Sequence, residues 1–157
     1  MLVGLYCSPM NDTPAQATTS TSTPPNSAMF SLIAAAHAIE ARLEQGLATV
    51  GLSPAKHAVL AQLAKAGDPL TLSELATRVC CVRSNMTQLV DRLEAEGLVR
   101  RVDDSGDRRI VRAVLTSLGE EREAAGASVV RQMQSEFAAA LPESDRAELE
   151  RVLAALK

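Results

Sequence analysis

Aromatic side chains are almost missing from this chain: Phe, Tyr and Trp make up 2% of its 157 residues, and Trp is absent. Strands favour aromatic and β-branched residues, so the 46% hydrophobic content suits a helical core of Ala, Leu and Val better than a β-sandwich. Cysteine is scarce as well. Cys7, Cys80 and Cys81 do not make a disulfide framework, and the adjacent pair can bond to each other only through a strained ring. His37 and His57 lie far from that pair in sequence, so zinc-ligand spacing is lacking and neither a metal nor a cofactor is expected. No apolar run approaches the roughly 20 residues that span a bilayer. Residues 1–6 lack the basic flank of a signal peptide, and a cytoplasmic location is expected. A Gly-rich phosphate loop, a nucleophile elbow and paired-carboxylate or metal signatures are also missing. Glu40 and Glu44, four apart, fit a solvated helix face, so an enzyme is not expected.

An excess of positive charge is the next absence. The formal net charge is −3, which by itself disfavours a polyanionic partner. The charge is unevenly spread, however. Residues 72–112 hold eight Arg against seven acids, whereas residues 113–157 hold five bases against eight acids. All eight bases of the middle segment are Arg, whose planar fork suits phosphates and base edges.

What is present reads as an ordered series of elements. Residues 1–27 form a Ser/Thr/Pro-rich tail with no apolar stripe, expected to be disordered. Phe30, Ile33, His37 and Ala41 recur at helical spacing, and Leu43, Leu47 and Val50 continue the stripe to Gly51. Ser53-Pro54 opens a second helix, which ends near Gly67. Thr71 and Glu74 make a capping box for a short third helix. After a turn at residues 80–82 a longer helix runs from Arg83 to about Glu96. Segments 98–102 and 110–115 are β-branched and flank the turn signal Asp103-Asp104-Ser105-Gly106-Asp107, so they predict a hairpin. Thr116 and Pro142 open two further helices, carrying Val129, Met133 and Phe137, and Leu149, Val152, Leu153 and Leu156. The expected fold is mainly α with a small β-hairpin wing, a winged helix-turn-helix at 52–115. Residues 28–51 and 116–157 supply a helical dimerisation region.

The helix from Arg83 divides into two faces. Met86, Leu89, Val90 and Leu93 make the apolar one. Ser84, Asn85, Gln88 and Arg92 lie opposite, with Arg83 and Thr87 at the margins. Asn and Gln pair bidentately with adenine and Arg with guanine, while hydroxyls reach phosphates or bases. No acid occurs in the first two turns, which suits an amino end aimed at a polyanion. The hairpin adds Arg100, Arg101 and Arg112 on its strands and Asp107-Arg108-Arg109 at its tip, where an Arg suits a narrow minor groove.

The segments Leu75-Ala76-Thr77-Arg78-Val79, Asn85-Met86-Thr87-Gln88-Leu89-Val90-Asp91-Arg92-Leu93-Glu94 and Gly97-Leu98-Val99-Arg100-Arg101 closely resemble the MarR family of bacterial transcriptional regulators. Asp107-Arg108-Arg109 and Val114-Leu115-Thr116-Ser117-Leu118-Gly119 extend the resemblance, which covers roughly residues 28–157. It implies a homodimer held by the first helix and the last two, bound to a palindromic operator in double-stranded DNA. By the same resemblance Thr87 and Gln88 face bases, Arg109 is the wing-tip Arg held by Asp107, and Arg108 meets phosphate. A small aromatic effector is implied between the dimerisation helices and the DNA-binding lobe, where Phe30, His37 and His57 are candidate lining residues, although each also reads as core. The expected activity is that of a dimeric repressor released by a small ligand or by thiol modification.

The chain departs from the family pattern at one joint. Members often carry Gly-Val-Ser before the recognition helix, whereas this chain carries Cys80-Cys81-Val82. Loss of the Gly and of the Ser cap is worth about 1 kcal/mol each, and Ser84 is a candidate substitute cap. Two readings of the cysteines stand: Cys80 and Cys81 as a redox sensor that moves the recognition helix, or Cys81 as a small buried hydrophobe beside a tolerated Cys80. The alternative to DNA binding is a winged-helix protein-interaction module, which the acidic total and the late acids Asp91, Glu94 and Glu96 favour.

Overall fold

The computed structural model of the protein describes residues 27–104, 106 and 110–156. The expected tail therefore lies outside the described residues except for Ser27, which begins the first helix instead. The wing-tip residues Asp107, Arg108 and Arg109 also lie outside them.

Helix α1 (Ser27–Ala48) leads into α2 (Pro54–Ala66). Ser53 caps α2 by accepting a hydrogen bond from the Lys56 backbone N–H, Pro54 takes the first turn, and Gly67 ends it in the left-handed region at φ 69°. A two-residue strand β1 (Leu70–Thr71) precedes α3 (Leu72–Arg78), then come α4 (Arg83–Ala95), β2 (Val99–Asp103) and β3 (Val111–Leu115). Helices α5 (Ser117–Ala140) and α6 (Glu143–Ala155) complete the chain. The expected hairpin is present, with Val99 opposite Leu115 and Arg101 opposite Ala113. Strand β1 was not expected; it pairs antiparallel with β3, giving the sheet order β1-β3-β2. Two residues carry too little alternation to announce a strand. Leu70 is fixed by its partner Ala113 across the ladder rather than by its neighbours.

The core sits where α2, α3, α4 and the sheet meet. Val59, Leu60, Leu75, Met86, Val90, Leu93, Val99 and Ala113 are sealed from solvent. Among the described residues no buried core residue is aromatic, in keeping with the composition. Each fully buried Leu, Val or Met contributes about 1.5–3 kcal/mol. The capping box of α3 is complete: Glu74 N–H donates to Thr71 Oγ1 at 3.2 Å, and Thr71 N–H donates to Glu74 Oε2 at 2.7 Å. The Thr71 backbone N–H, seconded by the Thr71 hydroxyl, holds the Glu74 carboxyl below the ordinary carboxylate range.

Helix α5 begins against the base of the wing. Thr116 N–H donates to the Leu98 carbonyl at 3.1 Å, and its hydroxyl donates to the Gly97 carbonyl at 2.6 Å. A Cβ at Gly119 would stand 1.9 Å from that same Leu98 oxygen, so only glycine fits there. Gly126 lets α5 lie against α2, where a Cβ would stand 2.8 Å from His57 Nδ1. Further out the helices lose cover. Residues 28–41 of α1 are all exposed, including Met29, Phe30, Ile33 and Ile39. Helix α6 buries no residue, and Val152, Leu153 and Leu156 stay open. Among the described residues no helix is long and apolar enough to cross a membrane.

Candidate nucleic-acid interface

Helix α4 is anchored by Met86, Val90 and Leu93 and shows its polar face outward. Arg83, Ser84, Asn85, Thr87, Gln88 and Arg92 are all exposed. At 100° per residue Ser84, Gln88 and Arg92 fall on one line opposite the buried stripe, with Asn85 and Thr87 on its two sides. Thr87 Oγ1 donates back to the Arg83 carbonyl at 3.2 Å, which fixes the hydroxyl and leaves its lone pairs and methyl facing out. Five of the six predicted helix residues thus share the outward face, and Arg83 sits at its margin.

The late acids of this helix do not belong to that surface electrostatically. Arg101 of β2 donates to Asp91 at 2.5 Å and to Glu94 through its other terminal nitrogen, while its backbone N–H donates to Glu94 Oε1 at 3.1 Å. The hydrogen bond to Asp91, seconded by that to Glu94, holds the guanidinium more firmly in its charged form. Glu96, just past the helix, takes two hydrogen bonds from Lys56 of α2, at 2.5 and 2.8 Å. All three acids are therefore matched by cations of the same chain, while Arg92 on the outward face and Arg83 at its margin are exposed.

The wing strands correct part of the sequence reading. Arg101 and Arg112 were counted toward the basic footprint, but both work inside the fold. Arg112 pairs through Nε with Asp104, lies 3.5 Å from Glu74 and donates to the Pro69 carbonyl at 3.2 Å. It ties β3 to the loop before β1 and to α3. Arg100, which alternates with Arg101 along β2, is exposed. No local spacing rule links Arg101 to acids seven and ten residues earlier; the contact exists only once β2 folds back along α4.

The joint before α4 has an unusual backbone. Cys80 has φ 53°, the one non-glycine residue at positive φ among the described residues. It occupies the position where the resemblance calls for glycine. Val82 is the N-cap and makes no side-chain cap hydrogen bond, so Ser84 does not take over as the cap. Cys80 is exposed, whereas Cys81 is half-buried against the core, its N–H donating to the Ala76 carbonyl at 2.9 Å.

The three residues suggested for an effector site are not brought together. Phe30 and His37 are exposed on α1, not in the core, and His57 lies between α2 and α5 with Nδ1 buried and unpartnered. A cavity of about 520 Å³ lies elsewhere, between α1, α5 and α6, with Leu43, Met133, Phe137 and Leu149 in its wall. None of the three lines it.

Residues 52–111 match the model of the MarR family. The chain is 35% identical over 91 residues to the HTH-type transcriptional repressor MdtR of Bacillus subtilis, a match covering 58% of each protein. The chain spans about half the length of the curated relatives it matches. Among solved structures, the YusO protein of Bacillus subtilis is 27% identical, with TM-score 0.64 over 83% of this chain and 92% of that one. The transcriptional repressor CouR, solved bound to a 23-mer DNA duplex, is 25% identical, with TM-score 0.73 over 87% and 99%. Family match, helix order and three-stranded wing agree over the middle of the chain: residues 52–111 are a winged helix-turn-helix segment that matches the MarR family.

Proposed function

We propose that this chain is a sequence-specific DNA-binding transcriptional repressor that acts as a homodimer. The observation that carries the reading is the outward face of α4, where Arg83, Ser84, Asn85, Thr87, Gln88 and Arg92 are exposed while Asp91, Glu94 and Glu96 are matched from within. Such a face offers hydrogen-bonding side chains for base edges and two cations for phosphates. Two copies would present two such helices to a palindrome. Arg109, held by Asp107, enters the flanking minor groove and Arg108 meets phosphate in this reading.

The dimer is supported by the uncovered apolar residues of α1 and α6, since contiguous exposed apolar side chains mark a contact surface. Release by a small aromatic effector belongs to the same reading; the apolar cavity between α1, α5 and α6 falls in the size range of small-molecule sites. A gel shift with the DNA upstream of the protein's own gene tests the proposal. Retarded complexes of two chains per duplex are expected, weakened by Arg109→Ala by about 1–3 kcal/mol. Absence of any shift at low salt would favour the protein-interaction module instead.

A further inference from the structure

We infer that Arg112 is the positioning residue of the wing: its side chain braces the outer, two-stranded end of the hairpin against α3 and so sets where the wing tip stands relative to α4. The consequence for DNA rests on the proposed function; the brace itself does not.

The sheet changes width at this residue. Strand β1 pairs with β3 only at Leu70 opposite Ala113 and Thr71 opposite Arg112, whereas β2 and β3 stay paired as far as Asp103 opposite Val111. Beyond Arg112 the hairpin is therefore a two-stranded ribbon, continued by the hydrogen bond from Asp104 N–H to the Ile110 carbonyl at 3.0 Å. Such a ribbon is marginal alone and twists more than a wider sheet. Among the described residues of this end, Asp103, Gly106, Ile110 and Val111 are exposed, so core packing does not hold them.

Arg112 spans the boundary. Its backbone lies in the last rung that β1 supports, and its guanidinium reaches to both sides. Outward, Nε donates to one carboxylate oxygen of Asp104, whose other oxygen accepts from Gly106 N–H at 2.8 Å, where the tip turn begins. Inward, a terminal nitrogen donates to the Pro69 carbonyl at 3.2 Å and lies 3.5 Å from Glu74 Oε2. Glu74 is itself fixed by the capping box of α3. One contact chain thus runs from the start of α3 through Arg112 and Asp104 to Gly106, and the rigid planar fork of Arg lets a single side chain carry its middle. A partly exposed ion pair adds little to global stability, so what this one contributes is direction. In the proposed function Arg109, three residues past Gly106, has to enter a flanking minor groove. A ribbon free to swing loses that freedom on binding, whereas a braced one has lost it already.

The experiment uses the full chain and a duplex selected from a random pool by the parent. Without DNA, Arg112→Gln should raise amide exchange about tenfold at Asp104 and Gly106 and leave residues 86–93 unchanged. Its affinity for the duplex should fall by about fivefold or more. In an Arg109→Ala background the same change should weaken binding by about twofold or less, because the side chain it aims is gone. Arg112→Lys keeps the charge and loses the fork, so it should follow Arg112→Gln. Equal losses in both backgrounds would overturn the inference, as would Arg112→Lys binding as tightly as the parent, for either result makes Arg112 a direct phosphate contact. Undiminished affinity of Arg112→Gln would overturn it too, and so would exchange that stays unchanged at Asp104 and Gly106 or rises equally through α4. If the parent selects no duplex, the DNA-binding reading fails, and amide exchange still decides the brace.

Discussion

Gly119→Ala separates two effects of opposite sign. In a helix Ala is better than Gly by about 1 kcal/mol, so on propensity alone the substitution at the third position of α5 stabilises. The geometry opposes it. The new Cβ would stand 1.9 Å from the Leu98 carbonyl oxygen, 3.0 Å from its carbon and 3.3 Å from Leu115 Cδ2. The first two contacts are backbone, so no rotamer change relieves them. Leu98 cannot retreat freely either, because its N–H donates to the Leu93 carbonyl at 2.9 Å and its carbonyl accepts from Thr116 at 3.1 Å. Overpacking of this kind costs about 1–3 kcal/mol. Losing the Thr116 hydrogen bonds that moor α5 to the wing adds about 1 kcal/mol each. Net destabilisation of about 2–4 kcal/mol is expected after the propensity gain is subtracted. Urea unfolding at one fixed protein concentration measures it, since a dimer's stability depends on concentration. Gly67→Ala is the control: its φ is 69° and nothing lies within 4 Å of the new Cβ, so it should lose only the left-handed backbone penalty of about 1–2 kcal/mol. A Gly119→Ala protein as stable as the parent, or more so, would refute the packing argument.

Three further outcomes follow from the same contacts. The Glu74 carboxyl is held below its ordinary value by the Thr71 bonds, so its contribution is full above about pH 4.5 and is lost as pH falls through the lowered value; Glu74→Gln should flatten that acid limb in urea titrations, and an unchanged limb would contradict the assignment. Arg101→Ala removes two partly exposed ion pairs, each worth about 0.2–1 kcal/mol, and uncovers Asp91 and Glu94. Its DNA affinity should drop although Arg101 is not placed on the DNA, whereas affinity equal to the parent would show that matching those acids is irrelevant. Sedimentation should give twice the chain mass, with Phe30→Glu shifting the equilibrium toward single chains; a monomeric parent would remove the role given to α1 and α6.

The sequence made the helices and hairpin legible because their signals are local. Ser53-Pro54, Thr71 with Glu74, and Thr116 announce helix starts through bonds that span three residues, and the structure makes those bonds. The α4 stripe of Met86, Val90 and Leu93 likewise needs only the helical period. What stayed hidden depends on chain return. Strand β1 exists because β3 comes back to it, and the internal use of Arg101, Arg112 and Lys56 depends on partners 7 to 43 residues away. The strained Cys80 was visible only as a missing glycine. Its φ of 53° lies in the left-handed region that glycine adopts at no steric cost.

The proposal turns on α4 meeting base edges, and the Gln88→Ala variant tests that most directly. Binding of parent and variant to a selected duplex should be followed by fluorescence anisotropy across a salt series. The parent log affinity should fall linearly with log salt. Gln88→Ala should be weaker by about 1–3 kcal/mol, roughly 5- to 150-fold, with an unchanged salt slope and relaxed preference at one base position. Equal affinity and equal base preference in parent and variant would contradict the placement of this helix against base edges.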